Sequence, residues 1–259
     1  MTVQLFIPCF IDQLYPDVAF NTIKVLEKAG CTVKYNEQQT CCGQPAFNAG
    51  FWGESKDVCT KFVQEFDGID YIVSPSASCT GFVRNNFGKL FENNAFQSPA
   101  KKVATQMFEL SEFLTKILNV TDLGAEFNAK VTYHDSCAAL RECKIKEAPR
   151  TLLSKVQGLQ IVEMIDTDAC CGFGGSFAVK FDTISVAMAD QKIDNAIATD
   201  AEYIVSTDTS CLMHLDGRIN FNGIQGRIVN YSCIQWNKEI RHNSTTTIDC
   251  SFCNKCFKK

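Results

Sequence analysis

Apolar positions along this chain switch between a strand period and a helix period, twice over. Short apolar runs at 3–8, 31–35 and 71–73 are read as strands. Between them, Val18, Thr22, Val25, Leu26 and Ala29 recur at helical spacing, with Pro16 opening the helix and Gly30 closing it. A second helix is expected over 54–66, stopped near Gly68. The stretch 101–119, apolar at Phe108, Leu110, Phe113, Leu114, Ile117 and Leu118, predicts one long helix. Near Gly124 the pattern restarts, with strands at 130–133, 159–165 and 203–206 and helices over 148–156 and 183–198. Past Asn222 the match weakens, and 226–231 reads as a last strand or the start of a helix. Such alternation predicts an α/β fold of two pseudo-symmetric halves, each a parallel, helix-covered sheet. The expected division is 1–124, 125–242 and a polar, flexible, cysteine-containing tail at 243–259.

Cysteines punctuate this pattern at the expected C-terminal ends of strands, the edge where open parallel sheets bind ligands. Thr40-Cys41-Cys42-Gly43-Gln44-Pro45-Ala46-Phe47 follows the second strand. Ala169-Cys170-Cys171-Gly172-Phe173-Gly174-Gly175-Ser176-Phe177 follows its counterpart in the second half. Cys9 and Cys137 follow the first strand of each half. Ser78-Cys79 and Ser210-Cys211 follow the third. Cys9 to Cys41 is 32 positions and Cys137 to Cys170 is 33; Cys42 to Cys79 is 37 and Cys171 to Cys211 is 40. Agreement at four cysteines in each half points to a duplicated ligand-binding unit. Neighbouring side chains on an extended strand face opposite ways, so both cysteines of a pair converge only if the chain turns. Gly43 and Gly172 permit that turn, and amide N–H groups within it would point at the sulfurs.

Composition sharpens the chemistry. The chain has 259 residues, 46% hydrophobic and 21% charged, with a net charge of −4. This length supports an ample core. An acidic balance does not favour nucleic-acid phosphates, and no apolar run approaches the ~20 residues that span a bilayer. The N-terminus lacks a basic region and breaks at Pro8, so it is read as a strand and not a signal peptide, and a cytoplasmic location is expected. Fifteen cysteines in such a chain point to reduced thiols serving as ligands more than to disulfides. Cys31, Cys59, Cys143 and Cys233 are expected to be small core residues.

Soft thiolates select iron–sulfur clusters, zinc or copper(I), and four per half satisfy a cluster or a closed zinc site. A disulfide between neighbouring cysteines is strained. Nucleophilic catalysis needs a basic partner. Of the histidines, His134 and His214 each lie three residues from a candidate ligand, where a supporting or core role is expected. The glycines at 172–175 lack the full dinucleotide-loop spacing. Cys250, Cys253 and Cys256 resemble the first three ligands of a bacterial ferredoxin run, without a fourth.

Taken together, Ile7-Pro8-Cys9, Cys41-Cys42-Gly43-Gln44-Pro45-Ala46, Ser74-Pro75-Ser76-Ala77-Ser78-Cys79, His134-Asp135-Ser136-Cys137, Cys170-Cys171-Gly172-Phe173-Gly174-Gly175 and Ser210-Cys211-Leu212 resemble the lactate-utilisation protein A family. The resemblance covers about residues 3 to 222. It implies two cysteine-rich "CCG" domains, a type also found in heterodisulfide reductases and in glycolate- and glycerol-3-phosphate-oxidising systems. It further implies an iron–sulfur subunit, with [4Fe-4S] the expected cluster, in a cytoplasmic complex oxidising L-lactate to pyruvate. A larger ferredoxin-like iron–sulfur protein and a third, smaller subunit are the implied partners. By position Cys9, Cys41, Cys42 and Cys79 form one site, and Cys137, Cys170, Cys171 and Cys211 the other. The chain departs from the heterodisulfide reductase type after each last cysteine. Thr80-Gly81-Phe82 and Leu212-Met213-His214 stand where those domains often place a further cysteine. It departs from the family again at Tyr231-Ser232-Cys233-Ile234-Gln235-Trp236, where a histidine-containing amphipathic helix is usual.

The leading expectation is therefore a redox subunit, an oxidoreductase component whose catalytic centre can lie on a partner. A zinc-stabilised scaffold without redox activity, or a subunit acting on another 2-hydroxy acid such as glycolate, are the alternatives. Arg141, Arg218 and Lys180 lie near the motifs and could face a carboxylate, but read as surface charges.

Overall fold

The computed structural model describes residues 1–223 and 227–236. Among the described residues, eight strands form two four-stranded sheets. In the first half these are β1 (Thr2–Leu5), β2 (Thr32–Tyr35), β3 (Ile72–Ser74) and β4 (Met107–Glu109), in the order β2-β1-β3-β4. The second half repeats this with β5 (Glu126–Tyr133), β6 (Gln157–Ile161), β7 (Tyr203–Ser206) and β8 (Arg227–Asn230), in the order β6-β5-β7-β8. Every pairing is parallel. The central strands β3 and β7 are buried along their whole length, as helix-covered parallel strands are. In both sheets the strand order reverses between the first and third strands, which opens a crevice at their C-terminal ends.

The structure corrects three details of the sequence reading. The single helix expected over 101–119 is split into a helix Gln97–Gln106, the strand β4 and a helical run from Leu110 to Ile117. Met107 and Glu109 are buried beside β3, so sheet pairing overrides the helical spacing there. The strand expected over 159–165 ends at Ile161. Cys79 and Cys211 do not end strands: each is the third residue of a following helix, Ala77–Leu90 and Thr209–Phe221.

The halves are joined by one continuous core, in which Val3, Leu5, Ile11, Val25 and Val73 pack with Phe127, Val131, Tyr133, Leu152 and Val229. Each half also lends its last described helix to the other. Tyr231–Trp236, after β8, packs on Pro16–Lys28 of the first half, where Asn21 Nδ2 donates to Cys233 Sγ over 3.3 Å. The segment Leu110–Glu112, after β4, packs on Glu147–Leu153 of the second half. This exchange holds the two crevices at a fixed relation. No described helix is long and apolar enough to cross a membrane.

Candidate metal centres

Each crevice gathers the four cysteines that the sequence picks out. Cys9 opens the helix Cys9–Leu14 after β1, and Cys79 stands in the first turn after β3. Cys41 and Cys42 come from the loop after β2. Side-chain contacts link Cys9 to Cys41, Cys41 to Cys42, and Cys42 to Cys79, the last with sulfurs 3.4 Å apart. The second crevice repeats the chain of contacts from Cys137 to Cys170, Cys171 and Cys211. All eight are free thiols.

The double-cysteine loops are built alike. Gly43 and Gly172 both adopt φ of 91°, left-handed backbone that L side chains rarely take. Their N–H groups donate to Cys41 Sγ and Cys170 Sγ, each over 3.4 Å. Their carbonyls accept from serine hydroxyls of the next long helix, Ser55 at 3.0 Å and Ser185 at 2.8 Å. Close approach forbids a side chain as well. A Cβ on Gly43 would lie 2.7 Å from Cys59 Sγ, and one on Gly172 would strike the Ser185 carbonyl.

One thiol in each crevice is strongly acidified. Hydrogen bonds from Cys42 and then Cys9 hold Cys41 down to about 3, aided by the Gly43 N–H. Hydrogen bonds from Cys137 and Cys171 do the same to Cys170, down to about 2. The donors Cys9, Cys42, Cys137 and Cys171 are pushed up correspondingly. Each crevice thus holds a thiolate sharing the protons of its neighbours. A cation arriving there displaces those protons.

The surroundings include His134, for which the sequence leads to a supporting or core role, and Lys192 and Asp208, which the sequence does not mark. His134 is fully buried, neither ring nitrogen has a partner among the described residues, and burial pushes its pKa down to about 3. Its ligand atom lies within 4.8 Å of the sulfurs of Cys171 and Cys211. A neutral imidazole therefore stands beside the second thiol set, next to the eight cysteines that the sequence picks out. Lys192 is buried with its ammonium donating to the carbonyls of Asp166 and Thr167, at 2.5 and 3.1 Å. Asp135 is held by both guanidinium nitrogens of Arg150 at 2.8 Å. Asp208 links the crevices: it accepts from Ser210 Oγ at 2.7 Å and, across the halves, from the Ser78 N–H at 2.9 Å. Counting seven residues on from Ser185 would have found Lys192, but only once the serine-to-glycine bond had fixed the register.

Cys31, Cys59, Cys143 and Cys233 are buried, as expected of core thiols. Arg218 is paired with Asp190 at 2.6 Å, and Arg141 and Lys180 are exposed. None of the three is placed as a carboxylate clamp within either thiol set. Cys250, Cys253 and Cys256 lie outside the described residues, as does the tail expected over 243–259.

The donor set fits a thiophilic metal or an iron–sulfur cluster: soft sulfur atoms, a glycine turn without room for a side chain, N–H groups aimed at sulfur, and an orphaned imidazole. Comparison with known proteins agrees with the duplication. A family model described as "cysteine-rich domain" matches residues 3–84 and again 131–216. The chain is 41% identical over 223 residues to lactate utilization protein A of Halalkalibacterium halodurans, covering 86% of this chain and 91% of the relative. It is 42% identical over 224 residues to that of an Exiguobacterium species, covering 85% and 91%. A crystal structure of a hypothetical protein from Helicobacter pylori shares the fold, with a TM-score of 0.57 at 11% identity, covering 93% of this chain and 49% of that one. The chain belongs to the lactate utilization protein A family and carries its cysteine-rich domain twice.

Proposed function

We propose that this chain is the iron–sulfur electron-transfer subunit of a cytoplasmic complex that oxidises L-lactate to pyruvate. The observation that carries the reading is the pair of four-thiol crevices, alike in backbone, in a chain about 40% identical to lactate utilization protein A over most of its length. Cys9, Cys41, Cys42 and Cys79 would hold one group in the half spanning 1–124. Cys137, Cys170, Cys171 and Cys211 would hold the other in the half spanning 125–242. A bound iron–sulfur cluster, [4Fe-4S] in this reading, accepts and releases single electrons. The chain's own residues present the sulfurs, supply N–H groups from Gly43 and Gly172, and keep Cys42, Cys79, Cys171 and Cys211 from water.

Lactate would bind on another subunit, since the arginine nearest in character to a carboxylate clamp, Arg218, is already paired with Asp190. A ferredoxin-like iron–sulfur protein and a third, smaller subunit are the partners this reading requires. The grouping of His134 with Cys171 and Cys211 favours zinc at the second crevice as a second reading. Deletion of the chain from its source organism tests the function. Growth on L-lactate should be lost, restored by the wild type and not by Cys42→Ser. A deletion strain that still grows on lactate but fails on glycolate would overturn the substrate.

A further inference from the structure

The two crevices share a backbone but not a wall. The serine-to-glycine bonds and the cysteines fix the register between them, so positions can be matched one to one. Three residues before Cys9 stands Phe6; three before Cys137 stands His134. Seven residues after Ser55 stands Phe62; seven after Ser185 stands Lys192. Three residues after Cys79 stands Phe82; three after Cys211 stands His214. At three matched positions the first half has phenylalanine and the second has a basic side chain.

The aromatic wall is packed and dry. Phe6 and Phe62 meet edge to face at 4.8 Å between centroids, Phe62 meets Phe87 at 5.4 Å, and all three are buried. The basic wall is anchored. Lys192 is tied by two carbonyls, which fixes an ammonium in the interior. His134 faces Cys171 and Cys211 with both ring nitrogens unpartnered among the described residues. His214 Nε2 lies 3.1 Å from the hydroxyl of Ser185, the residue that binds the Gly172 carbonyl. Of the nearby acids, Asp135 is paired with Arg150, whereas Asp208 is held only by the neutral donors of Ser78 and Ser210 and acts on Cys137 and Cys211 against the Lys192 charge.

We propose that the two crevices hold redox centres of unequal potential, the second taking up an electron before the first, because His134, Lys192 and His214 replace Phe6, Phe62 and Phe82. A thiolate-bound cluster gains negative charge on reduction. An interior ammonium and polar donors favour that charge strongly where the dielectric is low, and an aromatic wall does not. The inference rests on the iron–sulfur reading above, and adds a direction: an electron arriving at the first centre passes on to the second.

A stepwise anaerobic redox titration of the full, iron-reconstituted chain, followed by electron paramagnetic resonance, tests it. Cys9→Ala and Cys137→Ala, each breaking one ligand set, assign the signals. The second centre should reduce first, with at least a tenfold equilibrium preference for the electron, about 59 mV for one electron. Lys192→Met should shrink that preference severalfold and leave the first centre unmoved. If that variant does not fold, His214→Phe, which copies the first half, should move the same potential in the same direction. Simultaneous reduction, a first centre reduced ahead of the second, or zinc in the second crevice overturns the inference while leaving a redox role for the first. A chain that takes up no iron at either crevice removes the iron–sulfur reading as well.

Discussion

Gly43→Ala and Gly50→Ala form a matched pair, because both glycines have φ near +90° but only one is crowded. Gly43 has φ of 91° and would place a Cβ 2.7 Å from Cys59 Sγ and 3.1 Å from the Ser55 carbonyl. Gly50 has φ of 90° with nothing within 4 Å. Left-handed backbone costs an alanine about 1–2 kcal/mol, and both variants incur it. Only Gly43→Ala adds overpacking against a buried sulfur and a backbone carbonyl, about 1–3 kcal/mol more. Urea unfolding of the metal-free protein should show Gly43→Ala losing about 2–5 kcal/mol and Gly50→Ala about 1–2. Displacing the loop also moves the Gly43 N–H from Cys41 Sγ, now at 3.4 Å. Metal uptake should therefore fall in Gly43→Ala and stay whole in Gly50→Ala. Equal losses of stability, with uptake intact in both, would refute the claim that this glycine shapes the crevice.

Other outcomes follow from the same geometry. Cys42→Ser and Cys171→Ser should each lower bound metal by about half, whereas Cys59→Ala should not, since Ala189 holds the matched place, as far beyond Ser185 as Cys59 is beyond Ser55; metal analysis of the three purified variants decides. Arg150→Met strands the buried carboxylate of Asp135 and should cost about 3–5 kcal/mol in urea unfolding. His134 has its pKa lowered from 6.5 to about 3 by burial, so the unfolded chain binds this proton first as pH falls. Its contribution is fully present above pH 6.5 and declines toward pH 3. Between pH 7 and 5 the metal-free protein should lose about 2 kcal/mol through this residue, and His134→Gln should flatten the slope.

Much of the fold is written in local patterns. Pro16 and Gly30 bracket a helix whose apolar stripe is unmistakable, and the run at 203–206 becomes β7 without change. The double cysteines with their glycines mark both crevices, because a left-handed turn beside two sulfurs has few other sequence solutions. What stayed hidden depends on distant contacts. Met107–Glu109 carries helical spacing and becomes a strand only because β3 offers a partner edge. Cys79 and Cys211 fall inside helices because Ser76 and Asp208, not the cysteines, stand where the chain turns to begin the helix. The basic wall is equally silent in sequence: Lys192 sits in a helix of ordinary polarity, and its burial against Asp166 and Thr167 is a tertiary fact.

The proposed role requires that eight thiols in two matched crevices hold iron–sulfur centres. Iron and acid-labile sulfide, measured on anaerobically purified and reconstituted protein, test it most directly. Both elements should be present in stoichiometric amounts, with broad visible absorbance that dithionite bleaches and with loss on substitution of Cys42 or Cys171. A colourless protein carrying stoichiometric zinc, and neither iron nor sulfide after reconstitution, would contradict it.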